Sequence, residues 1–288
     1  MGGWKLGIIG GSGLYAIDAL EDASWVEVET PWGQPSDALL TGRLEGVDCV
    51  FLPRHGRGHR IGPSHLNYRA NIDAMKRLGV TDLVSVSAIG SLAEDIPPGT
   101  FVAVDQFIDR TQGRKNSFFG PGLVAHVSIA DPVCPRLSAL VADAARAADA
   151  PVCEGGTYVA IEGPQFSTRA ESHLYRQWGA HVIGMTAMPE ARLAREAELP
   201  YALIGVVTDY DCWREGEAAV EAKTVIAQLH ANAEKAAALI ANLARSLPAE
   251  RAASPIDTAM DGAIITGREA WDADLAAKLD AVMRRVLA

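Results

Sequence analysis

Short β-branched apolar runs alternate along this chain with stretches of helical spacing, and this alternation constrains the fold more than any other feature. Several of the runs are apolar throughout, which is typical of strands that are covered on both faces of a sheet. The pattern therefore predicts an α/β fold with a central sheet. The predicted strands are residues 5–9, 47–53, 82–88, 101–108, 157–161, 181–185 and 201–208.

Helices are predicted where apolar residues recur three or four positions apart. These stretches are residues 69–78, 135–148, 189–198 and, the longest, about 217–247. Prolines bracket a polar stretch at 246–255, which predicts a linker that ends the long helix. Apolar spacing over 271–287 then predicts a single amphipathic helix in a separate tail.

The charge balance excludes several classes of partner. Asp and Glu total 36 against 26 Lys and Arg, so the formal net charge is −10. Because an acidic chain binds nucleic acid and anionic membranes poorly, we expect small-molecule partners, no nucleic acid and no membrane. The apolar runs are shorter than the ~20 residues that span a bilayer. The start of the chain does not resemble a signal peptide and the four cysteines are scattered, so we expect a cytoplasmic location.

A glycine-rich turn follows the first predicted strand. Residues 7–14 read Gly-Ile-Ile-Gly-Gly-Ser-Gly-Leu. Such turns let backbone N–H groups approach an anion, and the Ser12 hydroxyl adds a donor, so the turn predicts a phosphate site. Two other interpretations stay open. One is a plain tight turn, and the other is a dinucleotide loop, because Gly11 and Gly13 fit the loose dinucleotide pattern.

A basic cluster lies at the end of another predicted strand. Residues 54–60 read Arg-His-Gly-Arg-Gly-His-Arg, and a bound anion would offset the repulsion between so many positive charges. The cluster therefore favours an oxyanion pocket, with a solvated loop as the alternative. We expect no metal at His55, His59 and His65, because the intervening glycines disfavour the helix that would bring the first two together.

Two carboxyl groups and one aromatic ring complete the candidates. Asp209 and Asp211 lie two residues apart at a strand end, so they can face one pocket, and their repulsion raises the proton affinity of one of them. Capping of the next helix is the alternative role for Asp211. Phe166 follows a Gly-Pro turn within 161–169, where its ring can stack on a flat base or pack in the core.

Together these segments resemble the 5′-methylthioadenosine phosphorylases of the purine nucleoside phosphorylase superfamily. The resemblance implies a single nucleoside-phosphorylase-like domain with a central mixed β-sheet flanked by helices. It implies a catalytic domain at 1–247 and a divergent linker and amphipathic helix at 248–288. The matching stretches are residues 7–14, 30–37, 54–55, 67–71, 87–92, 105–111, 162–171, 184–186, 189–190 and 208–213.

The resemblance implies a pentosyltransferase that exchanges the adenine of methylthioadenosine for inorganic phosphate and releases 5-methylthioribose 1-phosphate. Such a reaction needs an anionic nucleophile below the sugar and an acid for the leaving base. Asp209 is implied to protonate N7 of the base and Asp211 to hold its 6-amino group. The implied phosphate-binding residues are Ser12, Arg54, His55, Ser87, Ala88 and Thr186. The implied substrate contacts are Phe166, Met185, His126, Ala222, Val225 and Ile226.

The resemblance also implies the setting of the reaction, which is purine and methionine salvage without a cofactor or a metal, with phosphate as co-substrate. His126 is implied to reach a neighbouring subunit's site, which implies a homotrimer or two paired trimers. Five positions depart from the family pattern. Ser12 and Ser87 stand where Thr is frequent, Gln165 where Arg is frequent, Gly184 where Asn is frequent and Ala222 where Val is usual.

Several alternatives stay open. They are a purine nucleoside phosphorylase for adenosine, methylthioinosine or 6-oxopurine nucleosides, a nucleosidase that uses water, a dinucleotide-dependent oxidoreductase, and a noncatalytic ligand-binding protein. A carboxylate at Asp211 accepts from an exocyclic N–H and would be unpaired against O6, so we expect adenine to be preferred over hypoxanthine.

Overall fold

The computed structural model describes residues 3–11, 19–215 and 221–287. Within these ranges, 11 strands form one sheet. The strands are β1 (Lys5–Gly10), β2 (Glu21–Val26), β3 (Leu39–Leu44), β4 (Val47–Pro53), β5 (Asp82–Ser91), β6 (Phe101–Val104), β7 (Gln106–Arg110), β8 (Val152–Glu154), β9 (Thr157–Ile161), β10 (Val182–Gly184) and β11 (Tyr201–Asp209). The α-helices are α1 (Tyr68–Arg77), α2 (Pro135–Arg146), α3 (Arg169–Gln177), α4 (Ala187–Glu196), α5 (Ala222–Ser246), α6 (Ala273–Lys278) and α7 (Arg284–Leu287).

The sheet is mixed, with β5 at its centre. β5 runs parallel to β1 and to β11, and its last residues pair antiparallel with β10. One path through the sheet has the order β2-β3-β4-β1-β5-β10-β9-β7, and β11 continues from β5 to β6 and then β8. Because β4, β1, β5 and β11 are parallel neighbours, their carboxyl ends share one edge.

Both faces of this sheet are buried. Neighbouring residues Leu83 and Val84 of β5 belong to opposite apolar clusters, as the alternation of side chains along a strand requires. Helices α1 and α4 contribute to the first cluster, and α2 and α5 to the second. Each fully buried aliphatic side chain stabilises the fold by about 1.5–3 kcal/mol. The predicted mixed central sheet flanked by helices is confirmed.

Several elements differ from the sequence prediction. The predicted strand 101–108 is two strands, β6 and β7, because they pair with different partners, β11 and β9. Strands β2, β3 and β8 were not predicted, and β2 is short and almost wholly exposed. Helix α3 was not predicted because it carries few apolar residues, although the reciprocal bonds between Thr168 and Glu171 that start it are a recognisable capping signal.

The predicted single helix over 271–287 is wrong. Two short helices, α6 and α7, occupy this stretch, and the chain turns between them so that Leu279, Val282 and Met283 are buried in the cluster that contains α1 and α4. Ion pairs fix the tail further, from Arg285 to Glu198 and from Arg77 to Asp280. The boundary at residue 247 stays a prediction.

Helix α5 begins at Ala222 within the described ranges, and positions 217–220 of the predicted helix lie outside them. Its first half is mostly exposed, and burial is concentrated from Asn232 onward. None of the helices in the described stretches combines the length and apolarity that membrane crossing requires.

Candidate active site

A cavity of about 660 Å³ lies at the edge where the parallel strands end. Open α/β sheets bind ligands at this edge. The predicted site residues that line the cavity are Arg54, His55, Ser87, Ala88, Phe166, Met185, Thr186, Asp209, Asp211, Ala222, Val225 and Ile226. Ser12 lies outside the described residues. His126 lies away from this lining on an exposed segment, where its backbone N–H donates to Ala263 O at 2.8 Å.

Arg54 directly follows β4, and its side chain is 1% exposed. Its Nε donates to Glu190 Oε2 at 3.0 Å, and Nη1 and Nη2 donate to the carbonyls of Val86 and Ile9 at 3.1 Å each. Burial disfavours the charged guanidinium, but the carboxylate of Glu190 more than offsets this effect, so the pKa of Arg54 is raised. The guanidinium is thus charged and held in one orientation at the cavity.

His55 is neutral and has a defined tautomer. Its Nδ1 lies 2.8 Å from Ile61 O, and since a carbonyl only accepts, Nδ1 carries the proton. Burial, together with the positive charge of Arg54, lowers the pKa of His55 to about 4. Near neutral pH, Nε2 is therefore unprotonated and accepts a hydrogen bond. Hydrogenphosphate carries a proton that suits such an acceptor.

Two hydroxyl groups lie together beside these basic groups. Ser87 Oγ, on β5, lies 3.1 Å from Thr186 Oγ1, at the start of α4. The Thr186 backbone N–H donates to the hydroxyl of buried Tyr158 at 3.4 Å. Of the described contacts at this helix start, none uses Thr186 Oγ1 as a cap, so the hydroxyl faces Ser87 instead. This arrangement suits an oxyanion.

The carboxyl groups of Asp209 and Asp211 form a further part of the cavity lining. Asp209 Oδ2 accepts from Thr208 Oγ1 at 2.7 Å, and Oδ1 accepts from the Asp211 N–H at 2.8 Å. Burial raises the pKa of Asp211, and the negative charge of Asp209 adds to the rise. The predicted raising of one proton affinity thus falls on Asp211.

Aromatic and apolar side chains supply the remaining walls. Phe166 is 42% exposed in the connection between β9 and α3, so its ring is available to a ligand. On another side, the start of α5 presents Ala222, Val225 and Ile226, and Leu229 extends the same surface. In the described ranges, no three His, Cys, Asp or Glu side chains are grouped so as to hold a metal ion.

Comparison with known proteins identifies the family. The model of the phosphorylase superfamily matches residues 5–245. S-methyl-5′-thioadenosine phosphorylase of Cereibacter sphaeroides is 61% identical over 284 residues, which are 98% of each chain. The chain belongs to the methylthioadenosine phosphorylase family of the phosphorylase superfamily. The sequence-based resemblance is confirmed.

Solved structures of related proteins agree with this family assignment. A crystal structure of methylthioadenosine phosphorylase from an Antarctic soil metagenomic library has a TM-score of 0.92 and 49% identity, covering 98% of this chain and 99% of the other. A mutant of adenosine/methylthioadenosine phosphorylase from Schistosoma mansoni, in complex with methylthioadenosine, has a TM-score of 0.81 and 36% identity, with 98% of each chain covered.

The lack of a side chain at Gly184 leaves room for Tyr158. A Cβ at this position would lie 2.1 Å from the hydroxyl oxygen of Tyr158. Tyr158 thus occupies the space that a side chain at 184 would need, and its hydroxyl accepts from the Thr186 N–H there. This role of Tyr158 is not predictable from the sequence, because a tyrosine within a β-strand is typical of an ordinary core residue.

Two other residues near the site were not predicted from the sequence. Glu190, the partner of Arg54, lies in a matching Pro-Glu stretch to which we assigned no role. Its place within the apolar run 187–191 at the start of α4 was the available signal. The second residue is Arg114. It lies in an irregular segment, and no sequence pattern marks it.

Proposed function

We propose that this phosphorylase converts methylthioadenosine and inorganic phosphate to adenine and 5-methylthioribose 1-phosphate, as a pentosyltransferase. One observation carries the assignment. A single cavity is lined by the Arg54 guanidinium and two neighbouring hydroxyls, and also by the carboxyl groups of Asp209 and Asp211. These are the two groups that displacement at an anomeric carbon requires, namely a site for an anionic nucleophile and an acid for the leaving base.

Phosphate binds at Arg54, His55, Ser87, Ala88 and Thr186, with Ser12 as a further donor. The fixed guanidinium orients the anion, and Nε2 of His55 accepts a hydrogen bond from the O–H of hydrogenphosphate. A phosphate oxygen then forms the bond to C1′ while the bond from C1′ to N9 breaks, through a transition state with oxocarbenium character. The electron pair of the broken bond goes to the purine.

The purine leaves as a neutral base because N7 receives a proton. Asp209, protonated in the substrate complex, delivers this proton, and Asp211 accepts a hydrogen bond from the 6-amino group. Phe166 stacks on the ring, and the Met185 backbone meets the ribose hydroxyls. The acceptor at Asp211 makes adenine preferred over hypoxanthine, since an O6 there would leave an acceptor unpaired.

The methylthio group lies against Ala222, Val225 and Ile226. His126 completes this pocket from a neighbouring subunit, so the active assembly is a homotrimer, or two paired trimers. We assign the enzyme to purine and methionine salvage in the cytoplasm, with phosphate as co-substrate and no cofactor. The exposed position of His126, away from the cavity of its own chain, supports the intersubunit role.

Base release from methylthioadenosine, adenosine and inosine, each with and without phosphate, tests the proposal. We expect release from methylthioadenosine to depend on phosphate and to exceed release from inosine. Release that proceeds equally without phosphate would identify a nucleosidase, and faster turnover of inosine would overturn the assignment to adenine nucleosides.

A further inference from the structure

A buried arginine outside the cavity lining connects two of the segments that form it. Arg114 lies in the irregular segment after β7, and its side chain is 2% exposed. A guanidinium offers five N–H donors in a fixed plane. In this structure those donors are directed to two separate connections of the chain, and both connections carry cavity residues.

The first connection follows β9 and leads to Phe166. Arg114 Nη2 donates to Glu162 O at 2.6 Å, and Nε donates to the Glu162 carboxylate at 3.2 Å. The same carboxylate accepts from the Gln112 N–H at 2.6 Å. Glu162 therefore accepts hydrogen bonds from Arg114 through both its backbone carbonyl and its side chain. It lies four residues before Phe166, whose ring lines the cavity.

The second connection joins β10 to α4 and carries Met185 and Thr186. Arg114 Nη1 lies 2.7 Å from Met185 O and 2.7 Å from Met188 O. These carbonyls bracket Thr186 on both sides. The hydroxyl of Tyr68, at 2.9 Å, is a further acceptor of Nη1. One guanidinium thus holds the backbone on either side of a predicted phosphate ligand.

The two connections are also in direct contact. A Cβ at Gly163 would lie 2.5 Å from Met185 Sδ, and Gly163 has a positive φ of 68°. Contact prevents the connections from approaching further, and the bonds of Arg114 prevent them from separating. Their spacing is therefore fixed from both directions.

We propose that Arg114, held by Glu162, is a positioning residue that sets the distance between the base-binding and the ribose-phosphate-binding parts of the site. The proposal rests on the proposed roles of Phe166, Met185 and Thr186. Methylthioadenosine spans both parts, whereas adenine contacts only the first. Loss of Arg114 should therefore penalise the whole nucleoside and spare the free base, and a misplacement of 1 Å costs roughly 100-fold in rate.

The test compares the binding of adenine, which is a fragment of the substrate, with the binding of whole methylthioadenosine. Both are measured in the variants Arg114→Met and Glu162→Gln. Arg136→Met is the matched control, because Arg136 also pairs with a buried carboxylate, Asp82, but lies outside the cavity lining. Calorimetry without phosphate gives the Kd of adenine and of methylthioadenosine, and steady-state assays with phosphate give kcat/KM. Circular dichroism establishes that each variant is folded.

For Arg114→Met we expect adenine affinity within about threefold of wild type, methylthioadenosine affinity weakened more than about tenfold, and kcat/KM lowered by roughly 100-fold. Glu162→Gln shows the same pattern at smaller amplitude, and it carries the test alone if Arg114→Met does not fold. Equal weakening of adenine and methylthioadenosine, or an unchanged kcat/KM, overturns the positioning role. If instead the wild type releases no adenine in a phosphate-dependent manner, the proposed function fails.

Discussion

Replacing Glu190 by Gln removes the charge that compensates Arg54 in the core of the site. Both side chains are 1% exposed, and Glu190 also accepts from the Tyr201 hydroxyl at 3.0 Å. Removal of one partner of a buried ion pair costs about 3–5 kcal/mol, because the other charge stays buried and unpaired. At roughly 2–4 °C per kcal/mol for a chain of this size class, we expect Tm to fall by about 6–20 °C.

The same substitution has a specific effect on phosphate. A bound anion would compensate Arg54 in place of Glu190, so phosphate should bind the folded variant tightly and stabilise it more than it stabilises the wild type. Differential scanning fluorimetry with and without phosphate measures both effects. Asp143→Asn is the control, because its pair with Arg146 is solvent-exposed and its removal should leave Tm unchanged. An unchanged Tm in Glu190→Gln, or a phosphate response equal to that of the wild type, would refute this reasoning.

Three further predictions concern single side chains of the site. Asp209→Asn should lower kcat by roughly 100-fold or more while methylthioadenosine still binds, since an amide cannot act as the acid; a kcat near the wild-type value in stopped assays contradicts the role. His55→Asn keeps a donor for Ile61 O but does not titrate. Because the folded pKa of His55 is about 4 and the unfolded value is ~6.5, the unfolded chain binds more protons between these pH values and stability falls as pH falls. Urea unfolding from pH 6.5 to 4 should therefore show about 3 kcal/mol less acid destabilisation in the variant, and equal losses would disprove a buried neutral His55. Gly184→Ala should cost about 1–3 kcal/mol through its clash with Tyr158 and lose most of that cost in a Tyr158→Leu background, and additive effects in the double variant would argue against direct contact.

The central strands and most of the residues that line the cavity at their carboxyl ends were predictable from the sequence. Continuous apolar runs such as 201–208 mark strands that are buried on both faces, and β11 extends one residue beyond that prediction, to Asp209. The matched motifs place Arg54, Thr186 and Asp209 at the carboxyl ends of strands, and the structure brings all three to one cavity.

Other features depend on contacts that no local pattern encodes. The residues Leu279, Val282 and Met283 have helical spacing, but burial in the main core bends the chain between α6 and α7. Likewise, Glu190 and Arg54 are 136 residues apart, and Tyr158 and Gly184 become complementary only when β9 and β10 pair. Sequence periodicity carries no information about such long-range pairs.

The most direct test of the account is the fate of phosphate oxygen in the product. When the enzyme is incubated with methylthioadenosine and phosphate labelled with oxygen-18 at all positions, we expect mass spectrometry to find 5-methylthioribose 1-phosphate with every label retained, because a phosphate oxygen forms the bond to C1′. Free methylthioribose that carries an oxygen from water, with no sugar phosphate formed, would contradict the account.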